Sequence, residues 1–183
     1  MLILVVGPSG AGKDTLLDGA RRALAQDPRF RFVRRDITRP VEAGGEDHNA
    51  ITPAGFAARR AAGAYALSWQ AHGLGYGIPA DIATDLAAGR VVIANGSRTI
   101  LAEAAGRFPL RVLHITATPA ILARRLAARG RESAADITER LARQVALPAG
   151  LDVATILNDG SVEQGVAQLL AELTRAAEPA RPA

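Results

Sequence analysis

The strongest constraint in this chain is a nine-residue stretch, Gly7-Pro8-Ser9-Gly10-Ala11-Gly12-Lys13-Asp14-Thr15. It follows the apolar run Leu2-Ile3-Leu4-Val5-Val6 and precedes a segment with Leu16, Leu17, Ala20, Ala23 and Leu24 on one helical face. Strand, glycine-rich turn and helix in that order, with G-x-x-x-x-G-K met by Gly7, Gly12 and Lys13, make a P-loop. Glycines let the backbone wrap a phosphate with its N–H groups turned inward, and side chains would block that approach. The helix that follows points its positive dipole end at the same anion. Lys13 is the only lysine among 22 Lys+Arg residues. A compact ammonium suits a phosphate gripped inside a tight loop, where a planar guanidinium does not fit. The usual Ser or Thr after the lysine is replaced by Asp14, with Thr15 next.

At 183 residues the chain reads as one domain, residues 1–176, with a frayed Pro/Ala-rich tail over 177–183. Hydrophobic residues make up 49% and charged residues 22%, an ordinary globular balance. No run approaches the ~18 apolar residues of a membrane span, and the apolar start reads as a strand rather than a signal peptide. The absence of cysteine excludes disulfides and thiolate metal sites. These features lead us to expect a cytoplasmic protein with no membrane partner. The net charge of +4 comes from arginines in small groups, without a basic run interleaved with aromatics. That pattern favours small polyanions over nucleic acid.

Short apolar runs alternate with helical patterns, which predicts an α/β fold: a parallel sheet covered by helices on both faces, with ligands beyond the carboxyl ends of its strands. Strands are expected at Leu2–Val6, Arg31–Ile37, Tyr65–Trp69, Val91–Ala94, Leu110–Thr116 and Leu151–Leu157. Helices are expected from about Asp14 to Gln26, from Thr52-Pro53, from Pro79, over Ser97–Phe108, from Thr118-Pro119, and after the capping boxes at Ser133 and Ser161. Gly73, Gly75 and Gly77 are expected to interrupt regular structure around Tyr76. Residues 38–79, poorest in pattern, read as an inserted substrate-binding region.

Four further groups carry chemistry. Arg124, Arg125, Arg129, Arg131, Arg140 and Arg143 flank a glycine break, and a mobile arginine segment over 125–143 can close on a triphosphate as a lid. Arg34-Arg35-Asp36-Ile37-Thr38-Arg39-Pro40 and Glu46-Asp47-His48 offer charge for a second anion. Leu67 to Gly77 sets Trp69, His72 and Tyr76 among glycines. Asn158-Asp159-Gly160 reads as a turn on the P-loop side, near an adenine. His114, on an apolar strand, reads as a core histidine. The strand ending Val92-Ile93-Ala94-Asn95-Gly96-Ser97-Arg98 lacks the acid that commonly holds Mg²⁺ through water, so Asp14 is the spare carboxylate for that ion.

The P-loop, Thr38-Arg39-Pro40, Trp69 with Tyr76-Gly77, the arginine lid and Asn158-Asp159 stand in the order seen in guanylate kinases, which the chain resembles over nearly its whole length. It departs from them after Pro40, where a second arginine is lacking, at Asp14, and at the missing acid near Asn95. Those departures, with Ile37-Thr38-Arg39, Ala66-Leu67-Ser68-Trp69, Gly73-Leu74-x-Tyr76-Gly77 and Asn95-Gly96-Ser97-Arg98, are similar to the ribose 1,5-bisphosphate phosphokinases of phosphonate degradation.

The resemblance implies ATP-dependent phosphorylation of ribose 1,5-bisphosphate to 5-phosphoribosyl 1-diphosphate, with Mg²⁺. An acceptor that is itself a phosphate is already anionic, so charge and positioning carry the catalysis. On this reading Gly7 to Thr15, with Arg125, Arg131 and Asn158, bind ATP. Lys13, Arg129 and Arg140 are catalytic, and Asp14 holds Mg²⁺ through water. Arg35, Arg39, His48, Trp69, His72, Tyr76 and Arg98 bind the sugar phosphate. The alternatives are a guanylate kinase acting on GMP, and a non-catalytic binding module on the same fold. Turnover of ATP with any small phosphate acceptor separates the last from the others.

Overall fold

The computed structural model describes residues 1–40, 46–128 and 146–178. Its centre is a five-stranded sheet in which every pairing is parallel. In chain order its strands are β1 (Leu2–Val6), β2 (Phe30–Phe32), β7 (Val91–Asn95), β8 (Leu110–Thr116) and β9 (Asp152–Leu157), arranged β2-β7-β1-β8-β9. All five side chains of β1 are buried, as a central strand covered on both faces requires. Ile3 and Val5 pack on one face with Leu16, Leu17, Leu169 and Leu173. Those partners come from α1 (Lys13–Ala23) and α6 (Val162–Ala177). Leu2, Leu4 and Val6 pack on the other face with Ile82, Ile100 and Leu101. These belong to α3 (Ile82–Ala87), a 3₁₀ turn (Arg98–Ile100) and α4 (Leu101–Arg107). α5 (Pro119–Ala127) follows β8.

The capping box before α6 forms as the sequence predicts: the Ser161 hydroxyl accepts from the Gln164 amide while the Gln164 side chain accepts from the Ser161 amide. α2 (Pro53–Ala61) likewise starts on Thr52, whose hydroxyl accepts from the Gly55 amide. α5 begins at its proline without a cap from the Thr118 side chain. The Thr118 amide donates instead to Asp159 Oδ1, at 2.8 Å.

Residues 36–79 hold a second, four-stranded sheet that the sequence pattern did not reveal. Its strands are β3 (Asp36–Ile37), β4 (Asn49–Ala50), β5 (Tyr65–Ala71) and β6 (Leu74–Pro79), in the order β4-β3-β6-β5. The expected strand Arg31–Ile37 is therefore two strands in two sheets. The chain leaves the main sheet after Val33, whose amide still donates to Ile93, and pairs antiparallel with β6 from Asp36.

Gly75 and Gly77 do not interrupt structure; they lie within β6. A β-carbon on Gly75 would stand 2.9 Å from the Phe56 ring, and one on Gly77 would stand 2.4 Å from the Tyr65 ring. The glycines let those two stacked rings, 5.1 Å apart, lie directly on the strand. Pro79 ends this strand rather than starting a helix. His72 and Gly73, both at positive φ (52° and 74°), form the two-residue hairpin turn between β5 and β6.

Asp36, 1% exposed, anchors the second sheet. It accepts from Tyr65 Oη at 2.8 Å, Arg59 Nη1 at 2.6 Å and Asn49 Nδ2 at 3.2 Å. Burial and the neighbouring carboxylate push the Tyr65 phenol up to about 12. Among the described residues, no helix is long and apolar enough to cross a membrane.

Candidate active site

The loop after β1 takes the conformation its glycines permit. Gly7, Gly10 and Gly12 have φ of 151°, 86° and 87°. A β-carbon on Gly7 would lie 1.9 Å from the Ile115 carbonyl oxygen, so the loop is pressed against β8 where no side chain fits. Lys13 opens α1 and folds back across the loop, donating from Nζ to the Gly7 and Pro8 carbonyls at 2.9 and 3.1 Å. Burial lowers its pKa, so the ammonium is held where a counter-anion is strongly favoured.

Asn158 supports the loop from behind. It is 5% exposed, and its Nδ2 donates to the Ala11 carbonyl at 2.8 Å. That amide also fills the space a β-carbon on Gly12 would need, at 2.6 Å. The Asn158-Asp159 turn thus ties the P-loop and the start of α5 to the end of β9. Arg125 reaches the same place: the β-carbon position of Gly12 is 3.9 Å from its Nη1, a buried atom with no hydrogen-bond partner among the described residues. The lid arginines Arg129, Arg131, Arg140 and Arg143 lie outside the described residues, as do the expected break at Gly130 and the helix after Ser133.

In front of the loop, between the two sheets, lies a cavity of about 770 Å³. Gly7, Pro8, Ser9, Lys13 and Asp14 form its donor side. Arg35, Arg39, Trp69, His72 and Tyr76 line the opposite side, with Asn95, Ser97 and Arg98 from the end of β7 between them. His114 also faces this cavity from the end of β8 and is not a core residue. Its pKa is lowered by burial, then by Arg98 and Lys13, which favours the neutral ring.

One residue that the sequence flagged only as part of a charged group, without a role of its own, proves central to the site. Glu46, carried in from the segment after β3, stands beside Asn95, where the strand itself lacks an acid. Asn95 Nδ2 donates to both Glu46 Oε2 (2.7 Å) and Asp14 Oδ1 (2.9 Å). Asp14 has its pKa raised, first by burial and then by Glu46, with Lys13 and Arg35 opposing. Sequence spacing gives no hint of this meeting, since Glu46 and Asn95 are 49 residues apart.

The remaining expected residues divide clearly. Arg35, 5% exposed, gives its fork to Glu46, through Nε at 2.9 Å and through Nη2. Its guanidinium carbon lies over the Trp69 and Tyr76 rings, 5.2 and 5.1 Å from their centroids. Trp69 is half-buried, packs against the core and also lines the cavity. Arg39 also faces the cavity, with Nε and Nη2 buried and unpaired among the described residues. His48 is 2% exposed and is not among the cavity-lining residues. Both of its ring nitrogens lie against backbone carbonyls, those of Glu46 (2.9 Å) and Arg39 (3.0 Å). It ties the backbone at Arg39 to that at Glu46. Thr15 is exposed on α1 and outside the cavity lining.

A P-loop facing a second, smaller sheet across a cationic cavity defines a nucleotide-dependent kinase of guanylate-kinase-like fold. The fold is shared with guanylate kinase from Anaplasma phagocytophilum, at a TM-score of 0.68 over 98% of this chain and 87% of that one, with 16% identity. No protein-family model matches the chain. Full-length relatives are more informative. The chain is 49% identical over 99% of its length, and 100% of the relative's, to ribose 1,5-bisphosphate phosphokinase PhnN of Agrobacterium fabrum. It is 53% identical over 95% of its length, and 92% of the relative's, to the protein of that name in Acidiphilium cryptum. The chain belongs to the ribose 1,5-bisphosphate phosphokinase family and is a phosphotransferase.

Proposed function

We propose that the protein transfers the terminal phosphoryl group of ATP to a phosphate oxygen of ribose 1,5-bisphosphate, giving ADP and 5-phosphoribosyl 1-diphosphate. Its setting would be the cytoplasm, within phosphonate degradation. The observation that carries this reading is identity near 50% across almost the whole chain with relatives of that name. The cavity is consistent with it. Two polyanions have to meet in line, and the attacking oxygen already bears charge, so the protein needs positioning and positive charge more than a general base.

Lys13 and the loop amides from Gly7 to Thr15 would hold the ATP phosphates. Arg125 stands behind them, and its unpaired Nη1 is the kind of donor that a phosphate satisfies. Arg39, Arg98, His72, Trp69 and Tyr76 would receive the sugar phosphate, and the two unpaired nitrogens of Arg39 are its anchor. Arg129, Arg131 and Arg140 would close over the transferring group. Arg35 and His48 would act one step back, Arg35 on the aromatic wall and His48 by holding the Glu46 and Arg39 carbonyls.

Mg²⁺ fits the residues present. Among the described residues no three acidic or histidine side chains cluster closely enough to hold a metal alone. Mg²⁺ is commonly held by one or two carboxylates, water and substrate phosphates, and Asp14 beside the P-loop supplies such a carboxylate. The ion would neutralise charge on the ATP phosphates.

The test is an acceptor screen. Purified protein, ATP and Mg²⁺ are given ribose 1,5-bisphosphate, GMP, AMP or ribose 5-phosphate, following ADP and the phosphorylated product. The highest kcat/KM is expected for ribose 1,5-bisphosphate. A higher value for GMP overturns the assignment.

A further inference from the structure

Trp69 and Tyr76 are cross-strand partners on β5 and β6. Their rings are nearly parallel, 7° apart, with centroids separated by 5.3 Å. Stacked against each other, the two rings make an aromatic platform on the wall of the cavity. Such a surface attracts planar rings, because every base has a face that stacks on an aromatic side chain. Here the platform is already occupied. The Arg35 guanidinium lies 5.2 Å from the Trp69 centroid and 5.1 Å from the Tyr76 centroid. Both of its bonds to Glu46 run in the guanidinium plane, and Glu46 is held from its other side by Asn95. A cation resting on two aromatic faces and bound in a two-point pair is hard to displace.

We propose that Arg35, laid over the Trp69–Tyr76 platform and latched there by Glu46 and Asn95, sets acceptor specificity by filling the surface on which a nucleobase would stack. This rests on reading the cavity wall as the acceptor side. A sugar bisphosphate has no planar ring and needs no stacking surface. It meets the edge of a buried cation and the unpaired nitrogens of Arg39 instead. A nucleoside monophosphate would have to break the Arg35–Glu46 pair, leaving both charges buried without their partner. The restriction falls on flat acceptors alone, so it discriminates without weakening phosphate binding.

Trp69 is the only tryptophan in the chain, so its fluorescence reports on this platform directly. GMP is the probe. Wild-type protein should show no saturable quenching by GMP. Arg35→Ala should show saturable quenching with affinity gained by about tenfold or more, the scale of one base stacked on an aromatic. Arg35→Lys, which keeps the charge but loses the planar face and the fork, should behave more like Arg35→Ala than like wild type. Glu46→Gln, which keeps the shape but weakens the latch, should lie between.

The ratio of kcat/KM for ribose 1,5-bisphosphate to that for GMP should fall at least tenfold in Arg35→Ala. A purely structural role would lower both values together and leave the ratio unchanged. An unaltered ratio with unaltered quenching, in variants whose circular dichroism matches wild type, overturns the proposal. If Arg35→Ala does not fold, Arg35→Lys and Glu46→Gln decide by the same quenching criterion. Failure of wild-type protein to phosphorylate ribose 1,5-bisphosphate would instead count against the function proposed above. The fluorescence titration is unaffected by that result.

Discussion

The two sides of the cavity are built in opposite ways. The donor side comes from one short stretch, Gly7 to Asp14, pinned between a buried strand and a helix start. The acceptor side is gathered from β6, β5, the end of β7, and the segments around Arg35, Arg39 and Glu46. Its partners are separated in sequence by as many as 49 residues, as Glu46 and Asn95 are. A phosphate is gripped by backbone amides, which a short run of glycines can aim. Telling one acceptor from another takes side chains on several walls, which only folding brings together.

The widest difference between the two sides should appear on Lys13→Arg. The charge is kept, but Nζ is lodged among the loop's own carbonyls, where a planar fork does not fit. We expect kcat to fall by about 10²–10³, in steady-state assays with circular dichroism unchanged. Retention of a third of wild-type turnover would show that the loop does not depend on the shape of its cation.

On the acceptor side the comparable weak point is structural. Asp36→Ala leaves the Tyr65 hydroxyl and Asn49 amide without their shared acceptor beneath β3. It should cost about 2–3 kcal/mol in urea unfolding. The acceptor KM should rise more than the KM for ATP. An equal rise in both would mean that the second sheet serves the whole cavity rather than one side.

Asn158→Ala is the reciprocal experiment. It leaves the Ala11 carbonyl unpaired behind the P-loop, at a cost of about 1–2 kcal/mol. Here the KM for ATP should be the one that rises. A change confined to the acceptor KM would break the division between the two sides.

The smallest effect is expected where the sides meet. Burial and Glu46 raise the pKa of Asp14. A raised carboxyl favours the folded state while protonated, and that contribution is lost as pH rises through the folded-state pKa. Asp14→Asn removes the carboxylate, and its side-chain oxygen can still accept from Asn95. The variant should therefore melt slightly higher than wild type at neutral pH, by no more than about 3 °C. The two should converge below the ordinary Asp pKa, where Asp14 is neutral in both folded and unfolded chains. The same variant should need more Mg²⁺ for half-maximal rate. A melting advantage that grows on acidification would invert the assigned sign.

The sequence alone determined the alternation of strands and helices that implies a parallel sheet, the P-loop, the strand at Leu110–Thr116 and the cap at Ser161, because each is signalled by residues within a few turns of chain. It also pointed to the arginines and aromatics that line the cavity. It did not disclose the second sheet, because β3 and β4 are two residues each and β6 carries two glycines, which read as breaks. Those glycines are there for Phe56 and Tyr65, whose rings arrive from other elements. Likewise Asn95 looked like the loss of an acid until Glu46 was placed beside it, and His114 looked like core until the end of β8 met the cavity. Periodicity and spacing report what a residue does for its own element. The approach of a side chain from a distant segment depends on how the two sheets pack, and tertiary structure alone decided that.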